Sequence, residues 1–120
     1  MATITPVPTP VKTYDENATH VIWETGTLVA DVFTAIEMPG SSIRSVQFVG
    51  TFDGGTIVLE GSNDGTNYVT LTDPQGNAIS KTAAGIEQIE EVTRYVRPRI
   101  TVAGAGTDLD IHMIFVRRGR

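Results

Sequence analysis

Apolar residues recur at every second position through much of the chain, the period of a strand that lays one face on a core. Val46, Phe48, Gly50 and Phe52 form one such run, Ile57 and Leu59 a second, and Tyr68, Val69, Thr70 and Leu71 a third β-rich stretch. Asp108–Val116 alternates most clearly, with Leu109, Ile111, Met113 and Phe115 sharing one parity, and is expected to lie centrally in a sheet. Turn chemistry separates the runs. Asp53-Gly54-Gly55 and Asn63-Asp64-Gly65 tolerate positive φ, and Asp73-Pro74-Gln75-Gly76-Asn77 supplies a further reversal. The expected product is a hairpin across 53–55, a hairpin across 63–65, and three consecutive antiparallel strands. On this reading Gly65→Val impairs folding, whereas Asp64→Asn leaves it nearly intact.

Upstream, Thr19–Glu24 and Gly26–Glu37 read as two strands either side of Thr25-Gly26, followed by the turn cluster Met38–Ser42. In 77–93, Ile86, Ile89 and Val92 fall at three-residue spacing beside Glu87, Glu90 and Glu91, which predicts one helical turn or a short 3₁₀ piece. Arg94–Val102 returns to strand, with Pro98 favouring an edge or a bulge because proline donates nothing to a ladder. Turns about 8–12 residues apart belong to sandwiches and barrels. The expected fold is therefore all-β: a single antiparallel β-sandwich or jelly-roll-like domain over residues 18–120, preceded by an extended Pro-rich arm over 1–17. Prolines 6, 8 and 10 forbid helix in that arm. It is expected to strap a neighbouring subunit through Ile4, Val7 and Val11, so that removing Met1–Asn17 leaves the body folded and weakens association.

The chain has 120 residues, enough for one core, and is 40% hydrophobic against 19% charged. A net charge of −5 argues against a surface that coats nucleic acid, which needs a field of Lys and Arg. Absence of cysteine excludes disulfides and thiolate chemistry and is compatible with assembly in a bacterial cytoplasm. No secretory core or membrane-spanning run stands out, so a soluble protein without membrane partners is expected. Three of the nine basic residues, Arg117, Arg118 and Arg120, close the chain and are candidates for docking on an acidic protein surface.

No catalytic set, cofactor motif or metal motif is read from the sequence. His20 and His112 lack ligand spacing, and His112 shares strand parity with Asp110, so both read as solvent-facing strand residues. The turn Asn63–Asn67 lacks the alternating oxygen ligands and distal glutamate of a calcium loop. Nothing in the spacing of Asp53, Asp108 and Asp110 places them as a carboxylate pair. Trp23, Tyr68 and Tyr95 are the rings that could stack on sugar faces.

The string Gly61–Leu71 (GSNDGTNYVTL), preceded by Gly55–Glu60 and followed by Thr93–Pro98 (TRYVRP), resembles a family of small tailed-bacteriophage virion proteins, several of them capsid decoration or cement proteins. The resemblance spans about Val46–Val116. It implies a non-enzymatic protein on the outside of an icosahedral capsid in the virion, partnered by the major capsid protein and by itself as a homotrimer. The same SNDGTNY turn is similar to one in discoidin-like, galactose-binding β-sandwiches, which implies the alternatives of a carbohydrate-binding or tail-fibre host-binding module.

Overall fold

The computed structural model describes residues 2–11 and 18–117. In chain order the strands are β1 (Thr3–Ile4), β2 (Val7–Pro10), β3 (Ala18–Gly26), β4 (Val32–Phe33), β5 (Ile36–Glu37) and β6 (Ile43–Thr51). The second half adds β7 (Thr56–Ser62), β8 (Val69–Thr70), β9 (Ser80–Lys81), β10 (Gly85–Gln88), β11 (Tyr95–Val102) and β12 (Asp108–Val116). The protein is all-β, an antiparallel sandwich. One sheet runs β10-β6-β12-β3-β2; the other runs β5-β11-β7-β8, with β9 also on β7. The one parallel pairing among the described residues, β1 with β4, closes the flank.

Alternation explains the packing. Leu109, Ile111, Met113 and Phe115 of β12 are buried, as are Val21 and Trp23 of β3 and Val46 and Phe48 of β6. They share one core with Ile57, Leu59, Leu71, Ile79, Val96 and Ile100 of the second layer, and with Ile4 and Phe33 of the flank. As expected, β12 is central, hydrogen-bonded to β6 on one side and β3 on the other. Arg44 occupies an inward position of β6. Its Nε donates to the Ser41 carbonyl at 2.8 Å, and its Nη2 to those of Met38 and Thr93 at 3.0 and 2.7 Å. The guanidinium thus caps one end of the core, and burial lowers its pKa.

Several local expectations give way to tertiary pairing. Asp53-Gly54-Gly55 does not close a hairpin, because β6 and β7 lie in different sheets. Turn residues specify a reversal of direction, but not the strand that is met afterwards. This corner lies beside the returning crossover at 103–107: the Thr107 hydroxyl donates to the Phe52 carbonyl at 2.7 Å, and the Gly106 N–H to Asp53 Oδ2 at 2.6 Å. The turn at 63–65 does join a hairpin, β7 to β8, with Glu60 opposite Thr70. Of the three consecutive strands expected, only β7 and β8 pair, since β6 lies in the other sheet, and β9 pairs with the other half of β7.

Gly26–Glu37 is not one strand but holds the two short strands β4 and β5. The chain turns at Val29-Ala30, where the buried Asp31 carboxylate accepts N–H groups from Ala2, Thr27 and Leu28 at 2.9–3.0 Å. The predicted helical turn in 77–93 is replaced by β9 and β10: Ile89 enters the core while Ile86 and Val92 face solvent. Pro98 sits in β11 opposite Leu59, and a bulge follows between Ile100 and Val102. The described part of the arm belongs to the body. β1 pairs with β4, β2 pairs with β3 as an edge strand whose prolines the edge tolerates, and Ile4 is buried in the chain's own core.

Candidate interaction surfaces

Each sheet turns one face to the core and one to solvent, and the two outer faces differ in chemistry. On the β10-β6-β12-β3-β2 sheet the register places Ile86, Gln47, His112, Ile22 and Val7 in one row across the strands. The next row is Gln88, Ser45, Ile114, His20 and Thr9, and beyond it Val116 lies opposite Ile43. An antiparallel sheet with a solvated face ordinarily alternates apolar-in with polar-out. Here the outward positions include six branched aliphatics and no charge in either row. Ile86 is 62% exposed, Val7 53% and Ile43 40%. Shallow depressions mark both ends: one of about 330 Å³ beside Val7 and Ile22, one of about 280 Å³ between Ile43, Ile114 and Val116.

The two histidines sit at the middle of this face. His20 Nε2 and His112 Nδ1 are 2.9 Å apart with the rings parallel to within 3°. One hydrogen serves that contact, so it requires at least one neutral ring. Acidic charge begins in the row next to His112. Glu24, Asp108 and Asp110 lie toward the start of β12, where Asp110 Oδ1 accepts the Thr25 N–H at 2.9 Å. Arg117 is exposed just past its other end.

The second outer face is polar and internally paired. Glu60 on β7 is buried, and its two oxygens accept from Arg97 Nε at 3.2 Å and Arg99 Nε at 2.6 Å. Arg97 stacks over the Tyr68 ring at 3.7 Å, and Arg94, bonded to Glu37, lies 5.0 Å from the Tyr95 ring. The SNDGTN turn beside them satisfies itself. Asp64 Oδ1 accepts from Ser62 Oγ and from the Thr66 and Asn67 N–H groups, and Oδ2 from Asn67 Nδ2. These bonds hold the Asp64 carboxyl far below the usual carboxylate range. An Asp64→Asn change keeps Oδ1 as the acceptor of three of these bonds and loses only the exposed one from Asn67 Nδ2 to Oδ2.

The residues singled out from sequence are scattered rather than assembled. Ile4 is in the core, Val7 is on the aliphatic face, Val11 is half-buried after β2, and Arg117 is exposed; Arg118 and Arg120 lie outside the described residues. A strap on a neighbouring subunit through Ile4 is excluded by that burial. Of the three candidate sugar-stacking rings, Trp23 is fully buried and donates its indole N–H to the Thr34 carbonyl at 2.8 Å. The other two carry their own arginines. Among the described residues no group of three or more His, Cys, Asp or Glu is arranged to hold a metal ion, and no helix is long and apolar enough to cross a membrane. Sequence reasoning missed the aliphatic face. Its signal was present in Ile111–Val116 (IHMIFV) and His20–Trp23 (HVIW), where apolar residues occupy both parities. No protein-family model matches the chain, and neither a curated protein nor a solved structure matches it.

Proposed function

We propose that this is a non-enzymatic structural protein that decorates and stabilises the exterior of an assembled protein shell through repeated subunit contacts. The role is that of the phage capsid decoration proteins the SNDGTNY region resembles, with the major capsid protein as partner and the virion exterior as location. The observation that carries the reading is the outer face of the β10-β6-β12-β3-β2 sheet. Burial of apolar surface contributes about 25 cal/mol per Å², and a sheet face that sets exposed Ile and Val among uncharged polar residues is a surface that association with protein stabilises. Modest contacts suffice on a lattice, because subunits held side by side bind with effective concentrations that multiply weak affinities.

Glycan binding has less support in the geometry, since Trp23 is buried and the Tyr68 and Tyr95 rings are stacked with arginine. Co-sedimentation of the purified chain with undecorated capsids tests the proposal. Saturable binding at a fixed copy number per shell is expected; a chain that stays in the supernatant while retaining immobilised galactosides would reverse the order of the two readings.

A further inference from the structure

We infer that His20 and His112 form a binding site for a divalent late transition-metal ion, Ni²⁺ or Cu²⁺, held by His20 Nε2 and His112 Nδ1 as a two-imidazole chelate. The two residues are 92 positions apart in the chain, and the site exists only through the β3–β12 register.

Placement on rigid strands is the first support. His112 stands opposite Ile22 and His20 opposite Ile114, so the histidines are diagonal neighbours on one face of adjoining antiparallel strands. Diagonal positions lie about 7–8 Å apart at the backbone, within reach of two rings that lean toward each other. Neither strand is an edge: β12 is flanked by β6 as well as β3, and β3 by β2 as well as β12. Both donors therefore stand on paired backbone, and holding an ion requires no rearrangement of the sheet.

The approach of the rings sets the coordination geometry. The facing nitrogens are 2.9 Å apart, the ring planes agree within 3° and the ring centres are 5.2 Å apart, so the rings meet edge to edge with the two nitrogens aimed at each other. At a metal–nitrogen distance of about 2.05 Å, donors in cis positions at about 90° are about 2.9 Å apart, and donors at the tetrahedral angle about 3.3 Å. The observed spacing is the cis one. It suits the square-planar or tetragonal coordination of Ni²⁺ and Cu²⁺, both of which take imidazole, better than tetrahedral Zn²⁺.

Loading the site needs two local changes. The hydrogen shared between the rings moves to the other nitrogen of the ring that carries it, by exchange with solvent, which frees both facing lone pairs with no net loss of a proton. Each ring then tilts about χ2, a broad torsion, so that its lone pair points to the solvent side of the line between the nitrogens, where the ion sits. Both histidines are half-buried, so that side is open. Two protein ligands leave the remaining positions to water. The flanking strands add neutral oxygen-bearing neighbours, Gln47 opposite His112 and Thr9 opposite His20. Asp110 lies in the next row of β12 and is bonded to the Thr25 N–H, so it acts through its field: in a chain of net charge −5 it draws a cation toward this part of the face.

Isothermal titration calorimetry of the untagged chain with NiCl₂ at about pH 7.5, in a buffer that does not coordinate metals, tests the inference. Expected is one Ni²⁺ per chain, with Zn²⁺ bound more weakly. His20→Gln and His112→Gln keep polar side chains at these outward positions. Each should weaken Ni²⁺ binding at least about tenfold, since losing a ligand costs no less than the roughly 10–100-fold typical of losing a ligand's outer partner. Circular dichroism spectra should be unchanged, and the Cu²⁺-loaded chain should show the nitrogen hyperfine pattern of two imidazoles in its electron paramagnetic resonance spectrum. Absence of binding, binding that survives either substitution, or the pattern of a single imidazole overturns the chelate. Zn²⁺ bound more tightly than Ni²⁺ overturns the cis geometry. The titration uses the free chain and is scored apart from capsid binding: a chain that takes Ni²⁺ but ignores capsids loses the decoration role alone, and a capsid-binding chain that takes no metal loses this site alone.

Discussion

Gly50→Ala tests whether the register that builds the aliphatic face is right. Gly50 has φ +118°, a conformation L side chains avoid, and lies opposite Leu109 where β6 leaves its sheet. A Cβ there would overlap the Asp108 carbonyl oxygen and come within 3.2 Å of Leu109 Cα. The backbone strain costs about 1–3 kcal/mol. Relieving the overlap opens one pairing of the β6–β12 ladder, which costs about 1–3 kcal/mol more if its groups are left unpaired. Because the site lies near the end of that ladder, the lower half of the sum applies, about 2–4 kcal/mol. The whole domain is stable by about 6–18 kcal/mol at ordinary per-residue values. With a urea slope near 2 kcal/mol/M, the unfolding midpoint should fall by about 1–2 M at an unchanged slope. Gly40→Ala is the control: nothing lies within 4 Å of its Cβ, and it should stay within about 1 kcal/mol of the parent. If Gly50→Ala unfolds within about 0.5 kcal/mol of the parent, the strain argument and the register around it are wrong.

Three further outcomes are expected. Gly65 has φ +80°, and a Cβ there would come within 3.2 Å of the Tyr95 ring, so Gly65→Val should lower thermal stability by several degrees; an unchanged melting temperature would show that the β7–β8 turn is misassigned. Deleting residues 1–11 removes buried Ile4 and the edge strand β2, and should cost at least about 2 kcal/mol in urea unfolding rather than leave the body intact; equal stability of the truncated chain would return the arm to an independent role. Burial pushes the Asp31 carboxyl up, but the N–H groups of Thr27, Ala2 and Leu28 outweigh it and leave the pKa below 3.8. Its stabilisation is therefore complete above the ordinary carboxylate value and is lost as pH falls through the lowered one. Asp31→Asn should cost about 1–2 kcal/mol at pH 7, and the gap to the parent should narrow below about pH 4; a gap constant down to pH 2.5 would contradict the bonding.

Legibility in the sequence followed the range of each interaction. Alternation in β12 identified both its inward face and its central place, because burial on one side imposes period two on the strand itself. The SNDGTN turn was legible as a turn because Asp64, Ser62 and Gly65 act within a few residues of one another. Partners at a distance were not. The 53–55 corner has hairpin chemistry but joins two sheets, since the inward side chains of β6 and β7 are buried better against each other across the core than side by side. Likewise, Ile4 looked like a free anchor until β1 paired with β4, and His20 and His112 became a pair only through the β3–β12 register, 92 residues apart in sequence. The aliphatic face escaped notice for the same reason. Ile22, Ile86 and Ile114 come from three separate segments, and each alone is an unremarkable outward isoleucine.

Side-chain footprinting with hydroxyl radicals, read by mass spectrometry for the free chain and for the chain bound to undecorated capsids, tests most directly that this face is an assembly surface. Protection on capsids is predicted at Ile22, Ile43, Ile86 and Ile114, with Val69 and Val102 on the other sheet labelled equally in both states. Equal labelling of those isoleucines in both states, or protection centred on the second sheet, would contradict the account.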